Sequence, residues 1–472
     1  MSVTVEQIYT GCLAQGAYYI ESNGEAAVID PLREVQPYLD LAESRGARIK
    51  YVFETHFHAD FVSGHVDLAA KSGAQIVFGP TTMQTGFDAQ IARDGQEFPL
   101  GDCVIRLLHT PGHTPESSCY LLLDPAGKAT SLFTGDTLFI GDVGRPDLAQ
   151  KVVAELTQEK LASMLFDSLR NKIMPLADDI VVYPGHGAGS ACGKNMSKET
   201  TDTLGNQKRV NYALEPSLDR EAFIEAVLSG LTQPPSYFPQ NVLMNIGGYQ
   251  NVDAVIAKAT TPLSVAAFRE AMSQEKVAIL DTRDANDFAL GHVPGSINIS
   301  LQGMFANWVG VVFRDVKQPL LLITAPGKEE EAAIRLARVG FDRALGYLQG
   351  GVVAWSEAGQ PVEKIQMISA AELARVEKPL ILDVRRESEY FSQHMVGAVN
   401  APLDYWWEQL DKLDRERTQY VYCRSGYRSM IFVSIMKSRG FGRLVNVVGG
   451  FQAIEESGKF PITDYVCPST ML

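Results

Sequence analysis

An internal duplication in the C-terminal half constrains this chain more than any other feature. ILDTRDANDFALGHVPGSINI (279–299) lies over ILDVRRESEYFSQHMVGAVNA (381–401). Asp281 and Asp383, Arg283 and Arg385, His292 and His394, Gly295 and Gly397, and Asn298 and Asn400 are each separated by 102 residues. Further on, Gly350-Gly351 and Gly449-Gly450 are separated by 99, so a drift of only three residues accumulates across the unit. A domain of about 100 residues present twice is the simplest account. Each copy reads strand, polar turn, strand, helix, strand, Gly-Gly turn, helix. Its strands, such as PLILDV, QYVYC and RLVNVVGG, are continuous apolar runs of the kind found in parallel sheets covered on both faces. The copies are expected at 262–361 and 366–472, with their boundary near GQPVEKIQMIS (359–369).

What precedes the duplication is long enough for a domain of its own, expected over 1–255. Short β-rich runs dominate it: AAVID (26–30), RIKYVFET (48–55), QIVFG (75–79), CVIRLLHT (103–110), SSCYLLL (117–123) and DIVVYPG (179–185). QPPSYFP (233–239), with three prolines, marks its exit. The net charge of −14 and the lack of a Lys/Arg stripe speak against nucleic acid or an anionic membrane as partner. The first twenty residues lack a basic and then apolar leader, and no run of about 18 apolar residues occurs, so a cytoplasmic location is expected. Cys12, Cys103, Cys119, Cys192, Cys423 and Cys467 are scattered, with no C-x-x-C pair, so a reactive cysteine would act singly.

Six of the eight histidines lie between His56 and His186. THFHAD (55–60) follows the run YVFE, HTPGHTPES (109–117) supplies His113, FTGDTLF (133–139) supplies Asp136, and YPGHG (183–187) supplies His186. Imidazoles and a carboxylate at the ends of successive strands are what a zinc, iron or manganese cleft requires. A single histidine would be read as a surface or core residue; four motifs in this order read as metal ligation. His65 and His109 fit no ligand position and are read as structural. Cys192, close in sequence to His186, is open to a redox role, a substrate contact or simple loop packing.

These motifs resemble the metallo-β-lactamase superfamily, which implies an αββα sandwich followed here by two smaller α/β domains with parallel sheets. In two-metal members such as glyoxalase II the first motif is H-x-H-x-D-H. Here Phe61 stands at the sixth position, which removes one ligand of a second metal. The superfamily's persulfide dioxygenases are mononuclear iron enzymes, and their ligands correspond to His56, His113 and Asp136. The resemblance therefore implies one Fe(II) per chain, with zinc as the alternative, in a two-histidine, one-carboxylate triad with open positions. His58, Asp60 and His186 become groups behind the ligands, or the remnant of a second metal site. Arg145 matches an arginine that faces the thiol substrate, where a guanidinium can bind carboxylates bidentately. The rival reading is a zinc thioester hydrolase of the glyoxalase II type.

In the second copy, VYCRSGYRSMIFVSIM (421–436) puts Cys423 between a short apolar strand and an apolar helix. The loop's backbone N–H groups, the helix N-terminus, Arg424 and Arg428 form an anion cradle in which a thiolate can attack sulfane sulfur. This C-x-x-G-x-R-S loop resembles the rhodanese sulfurtransferases. In the first copy LLITAPGKEEEAAIRLA replaces it, with Thr324 or Ala325 at the cysteine position, and Glu329, Glu330 and Glu331 at the helix start repel an anion. That copy is expected to be structural. The resemblances together imply oxidation of a glutathione-like or other low-molecular-weight persulfide by O2 to sulfite and thiol, coupled to exchange among persulfide, sulfite and thiosulfate at Cys423, as in sulfide detoxification. A homodimer or higher homo-oligomer is the prior for assembly.

Overall fold

The computed structural model describes residues 3–148, 156–231 and 233–467; residues 468–472, at the end of the third expected domain, lie outside the described residues. The chain divides into two compact units, Met1–Asp253 with Leu336–Gly340 and Ala254–Arg335 with Phe341–Leu472. Apart from Leu336–Gly340 of the first copy, both copies of the repeat fall in the second.

The first unit is built on two six-stranded sheets. One has the order Thr4–Thr10, Gln15–Ser22, Glu25–Ile29, Arg48–Phe53, Gln75–Phe78, Gln90–Ile91. The other runs Asp202–Thr203, Val181–Pro184, Ala129–Gly135, Ser118–Leu123, Cys103–His109, Glu97–Leu100. Side chains alternate across a strand, and the apolar runs use both sides of it. Tyr120 and Leu122 face the core between the sheets with Tyr18, Ile20, Phe53 and Phe133, while Cys119, Leu121 and Leu123 face the opposite way. There they pack with Leu165 of the helix Gln158–Ser168, with Leu169 just beyond it, and with Leu204 and Phe223. On the other sheet Ala17 and Tyr19 turn away from the central core toward Tyr38, Ala42 and Leu68 of the helices Gln36–Ser44 and His65–Ser72. The result is the expected αββα sandwich, in which strands buried on both faces read as continuous apolar runs.

The second unit contains two five-stranded parallel sheets of one design. Their orders are Pro262–Leu263, Ala344–Leu348, Leu320–Ile323, Ala278–Asp281, Ile297–Asn298 and Gln366–Ile368, Leu444–Val447, Gln419–Tyr422, Leu380–Asp383, Val399–Asn400. The residues that repeat at a spacing of 102 do the same local work in each copy. Arg283 grips Asp281 bidentately, and Arg385 does the same to Asp383, with the shortest contact 2.6 Å in both. Asn298 and Asn400 donate to the carbonyls of Asp281 and Arg283, and of Asp383 and Arg385. His292 and His394 stack on Phe288 and Tyr390 and bond the same residues' carbonyls. Gly295 and Gly397 hold φ of +80° and +86°, which L side chains adopt at a cost. The repeat thus preserves a strand-end lock. No described helix is long and apolar enough to cross a membrane.

The lock in the second copy is testable. Asp383→Ala leaves the buried Arg385 guanidinium without its carboxylate, and loss of one partner of a buried pair costs about 3 kcal/mol. Equilibrium denaturation of the variant should show that loss; a change below about 1 kcal/mol, the scale of an exposed pair, would contradict the assignment.

Candidate metal centre and cysteine loop

The HFHADF segment leaves the strand Arg48–Phe53 at the rim of the sandwich, and its backbone is pinned by side chains. Thr55 donates from its N–H and its hydroxyl to the two oxygens of Asp30, both at 2.8 Å. Phe57 N–H donates to Glu116, and Asn245 donates to the carbonyls of His58 and Phe61. Asp136 follows the strand Ala129–Gly135. A Cβ at Gly135 would lie 2.5 Å from the Thr55 side chain, so only glycine lets these two strand ends approach. His186 follows the strand Val181–Pro184.

The imidazoles around Asp136 are fixed in one tautomer. His113 Nδ1 lies 2.9 Å from the Arg145 carbonyl and His186 Nδ1 lies 3.3 Å from the Ala14 carbonyl; a carbonyl only accepts, so both Nδ1 atoms carry hydrogen. The Thr55 hydroxyl is already donating to Asp30, so it accepts from His56 Nδ1 at 3.0 Å. All three rings therefore turn an Nε2 lone pair inward. His56 and His113 approach Asp136 Oδ2 at 3.9 and 3.4 Å, and His186 approaches Oδ1 at 3.6 Å. Lone pairs facing a carboxylate give no hydrogen bond, and both Asp136 oxygens and His186 Nε2 are buried without a hydrogen-bond partner. Native interiors seldom leave such atoms unpaired, and a cation at their centre satisfies all of them. His56, His113 and Asp136 offer ligand atoms within 4.8 Å of one another, as do His58, Asp60 and His186, and Asp136, His186 and Cys192. The donor set fits a divalent metal ion. Burial, with the neighbouring His58, His113 and His186, holds His56 well below the usual histidine range, so it is the neutral ligand form.

His58 is arranged differently. Burial opposes its charge, but Asp30, then Glu54 and Asp60, raise its pKa to about 9. Its Nε2 lies 3.0 Å from Asp30 Oδ1, and its ring centroid lies 4.3 Å from that of Phe61 with the planes tilted by 35°. Phe61 is fully buried. His65 is enclosed by Phe78, Phe87 and Tyr249, and His109 bonds the Pro115 carbonyl. The Nε and Nη2 of Arg145 each lie 2.7 Å from a carboxylate oxygen of Asp147, so that edge of the guanidinium is engaged within the chain. Its backbone also links the site, since its carbonyl orients His113 and its N–H donates to the Cys192 carbonyl. Asp30 was not singled out in the sequence; its signal is the AAVID run, which ends in an acid at the same sheet edge as Thr55. Cys192 is buried, and burial followed by Asp60 and Asp136 pushes its thiol well above the usual range.

In the second unit Cys423 lies at the end of the strand Gln419–Tyr422, and its Sγ accepts from Gly426 N–H at 3.2 Å. The helix Tyr427–Ser438 starts directly behind it. The Gly-Gly turn closes the loop from below: a Cβ at Gly450 would lie 2.4 Å from the Cys423 carbonyl. Arg424 is exposed at the rim. Arg428 is bidentate to Glu389 at 2.6 and 2.8 Å, so part of the positive charge expected of the cradle is neutralised. Burial works to raise the Glu389 carboxyl, but Arg428 outweighs it and holds it below the usual range. Registers settle the other copy. Asp281 pairs with Ile323 as Asp383 pairs with Tyr422, so Thr324 stands at the cysteine position and Glu329 at that of Arg428. Thr324 donates to Glu329 at 3.2 Å, so this loop is closed by its own carboxylate.

The sequence matches the metallo-β-lactamase superfamily over residues 10–186 and the rhodanese-like domain over 264–358 and 368–457. The crystal structure of a metallo-β-lactamase from Staphylococcus aureus subsp. aureus COL is 32% identical, covers 74% of this chain and 99% of its own, and has a TM-score of 0.64. The chain belongs to the metallo-β-lactamase superfamily, as a member that carries two rhodanese-like domains. Among curated relatives, hydroxyacylglutathione hydrolases from Rhizobium etli and Methylococcus capsulatus are 34% and 37% identical over 34% and 26% of this chain. The chain spans 57% and 46% of the length of those two relatives. ETHE1 from Myxococcus xanthus is 28% identical over 51% of this chain and 97% of its own, with a TM-score of 0.43.

Removal of the Asp136 carboxylate charge or the His113 imidazole should weaken metal binding by at least about 10- to 100-fold, the loss typical even of an orienting partner. Metal analysis of Asp136→Asn and His113→Ala after dialysis, with circular dichroism unchanged, checks this. Full metal content in both variants would contradict it.

Proposed function

We propose that the first unit oxidises a low-molecular-weight thiol persulfide with O2 and that Cys423 transfers sulfane sulfur among persulfide, sulfite and thiosulfate. The overall change at the first site is RSSH + O2 + H2O giving RSH, sulfite and two protons: the terminal sulfur is oxidised and O2 takes four electrons. Phe61 carries this reading. In place of an imidazole ligand on the Asp60 side it puts an apolar ring against His58, whose Nε2 lies 3.0 Å from Asp30 Oδ1. What remains on the other side is His56, His113 and Asp136, a two-histidine, one-carboxylate set. Fe(II) bound there supplies open coordination positions and electrons for O2 chemistry.

The chain's own residues orient and exclude. The Thr55 hydroxyl and the Arg145 carbonyl keep His56 and His113 in the ligating tautomer, and the buried Phe61 sets an apolar ring beside His58. At Cys423 a thiolate attacks the outer sulfur of thiosulfate or a persulfide. A sulfur–sulfur bond forms to Cys423 while sulfite or the free thiol leaves with the electron pair of the broken bond. The Gly426 N–H stabilises the sulfur charge in both states. A glutathione-like carrier and a cytoplasmic setting belong to the same proposal. A second reading, zinc-dependent thioester hydrolysis, is favoured by the names of the hydroxyacylglutathione hydrolases that the chain partly matches.

Oxygen-electrode traces on iron-loaded protein separate the two. Persulfide-dependent O2 uptake is expected in the wild type and in Cys423→Ser, which loses thiosulfate sulfurtransfer, and is expected to vanish in His113→Ala. Zinc-bound protein that cleaves thioesters and consumes no O2 with any persulfide would overturn the proposal.

A further inference from the structure

The segments that carry the metal centre are held by a distant piece of the chain. Leu336–Gly340 belong to the first unit although they lie within the first rhodanese-like match, 264–358. The Arg338 carbonyl accepts from Val62 N–H at 2.7 Å, directly after Phe61. The Arg338 guanidinium grips both carboxylate oxygens of Glu34, with Nε 3.0 Å from each, and its Nη1 lies 3.4 Å from Cys12 Sγ. Gly340 holds φ of +81°, and a Cβ there would lie 2.7 Å from Asn241 Oδ1 and 3.0 Å from Met244 Sδ. Those two residues sit on the helix Phe238–Gly247, which also carries Asn245.

Each residue that Arg338 touches leads to the metal centre by a short path. Val62 adjoins HFHADF itself. Glu34 ends a stretch that starts at Asp30, the anchor of Thr55, and continues through Pro31, whose carbonyl accepts from the Ser63 hydroxyl and Gly64 N–H. Cys12 lies in the turn whose Ala14 carbonyl faces His186 Nδ1 and accepts from Gly187 N–H. A planar guanidinium seated on two oxygens fixes orientation as well as position. We propose that Arg338 is a positioning residue for the metal centre, clamping the Cys12 turn, the Asp30–Glu34 stretch and the end of the HFHADF segment in the arrangement that points their histidines at Asp136. The inference rests on the metal centre and holds whichever reaction is performed there. It also gives the cysteine-less copy a task apart from its own closed loop, since the clamp is encoded within it.

Competition for Co(II) between metal-free, full-length protein and a chelator tests the clamp, with the visible bands of bound cobalt reporting ligand geometry. Arg338→Ala and Glu34→Gln should each weaken binding about 10-fold, the scale of losing an orienting partner, and alter the bands. The double variant should lose no more than either single one, because both act through one contact. Arg335→Ala is the control: its guanidinium is spent on Glu331 and the Leu301 carbonyl, and the variant should bind as the wild type does. Circular dichroism checks each fold, and Glu34→Gln, which keeps the side chain's shape, decides the matter if Arg338→Ala does not fold. Wild-type affinity in either folded single variant, losses that multiply in the double variant, or an equal loss in Arg335→Ala would each overturn the clamp and leave the metal centre standing. A wild type that binds no Co(II) would overturn the centre itself and the clamp with it.

Discussion

A carboxylate buried without a hydrogen-bond donor is among the costlier groups a protein can hold, and Asp136 is placed at the meeting point of three strand ends in that condition. Its neighbours do not relieve it. The Arg145 and Ala14 carbonyls and the Thr55 hydroxyl take the Nδ1 hydrogens of His113, His186 and His56, so each ring turns a lone pair toward the carboxylate. Charge density concentrated in this way is stable when a cation shares it. The surrounding structure serves that arrangement: Gly135 brings two strand ends together, Asp30 anchors Thr55, and Asn245 holds the HFHADF backbone. The sandwich is the scaffold, and the unmet charge of Asp136 gives the scaffold its purpose.

The second unit shows how one fold keeps its frame while losing its chemistry. The Asp–Arg lock, the asparagine ties and the glycine turn persist in both copies because each satisfies a buried group or a positive φ. The loops they support have diverged to opposite charge. Cys423 faces a helix start with Arg428, whereas Thr324 faces Glu329. The two copies also share packing: Ser434 of the Cys423 helix accepts from Asn298 N–H, and the Tyr427 hydroxyl donates to the Ser300 carbonyl. The cysteine-less copy therefore braces the helix behind the reactive loop, which gives physical content to a structural role.

Much of this was legible in the sequence because it rests on local rules. Continuous apolar runs marked strands buried on both faces, and the spacing of 102 residues marked a duplicated domain. Each metal-centre motif could be found because it directly follows such a run. What escaped the sequence depends on pairing across the fold. Arg428 meets Glu389 from another element, and neither residue's neighbours announce the other. Arg145 is taken up by Asp147 through the closure of its own loop, which a motif match to a substrate-facing arginine does not encode. The choice between Thr324 and Ala325 needed the strand register. Cys192 could be seen near His186 in sequence, but only the folded loop turns its sulfur toward Asp136.

The most direct test is a crystal structure of the protein loaded anaerobically with one equivalent of Fe(II), with anomalous scattering collected at the iron edge. The account requires a single peak at bonding distance, roughly 2.0–2.2 Å, from His56 Nε2, His113 Nε2 and Asp136 Oδ2. A peak among Asp30, Glu54 and His58, which also bring their ligand atoms within 4.8 Å of one another, or no ordered iron beside Asp136, would contradict it.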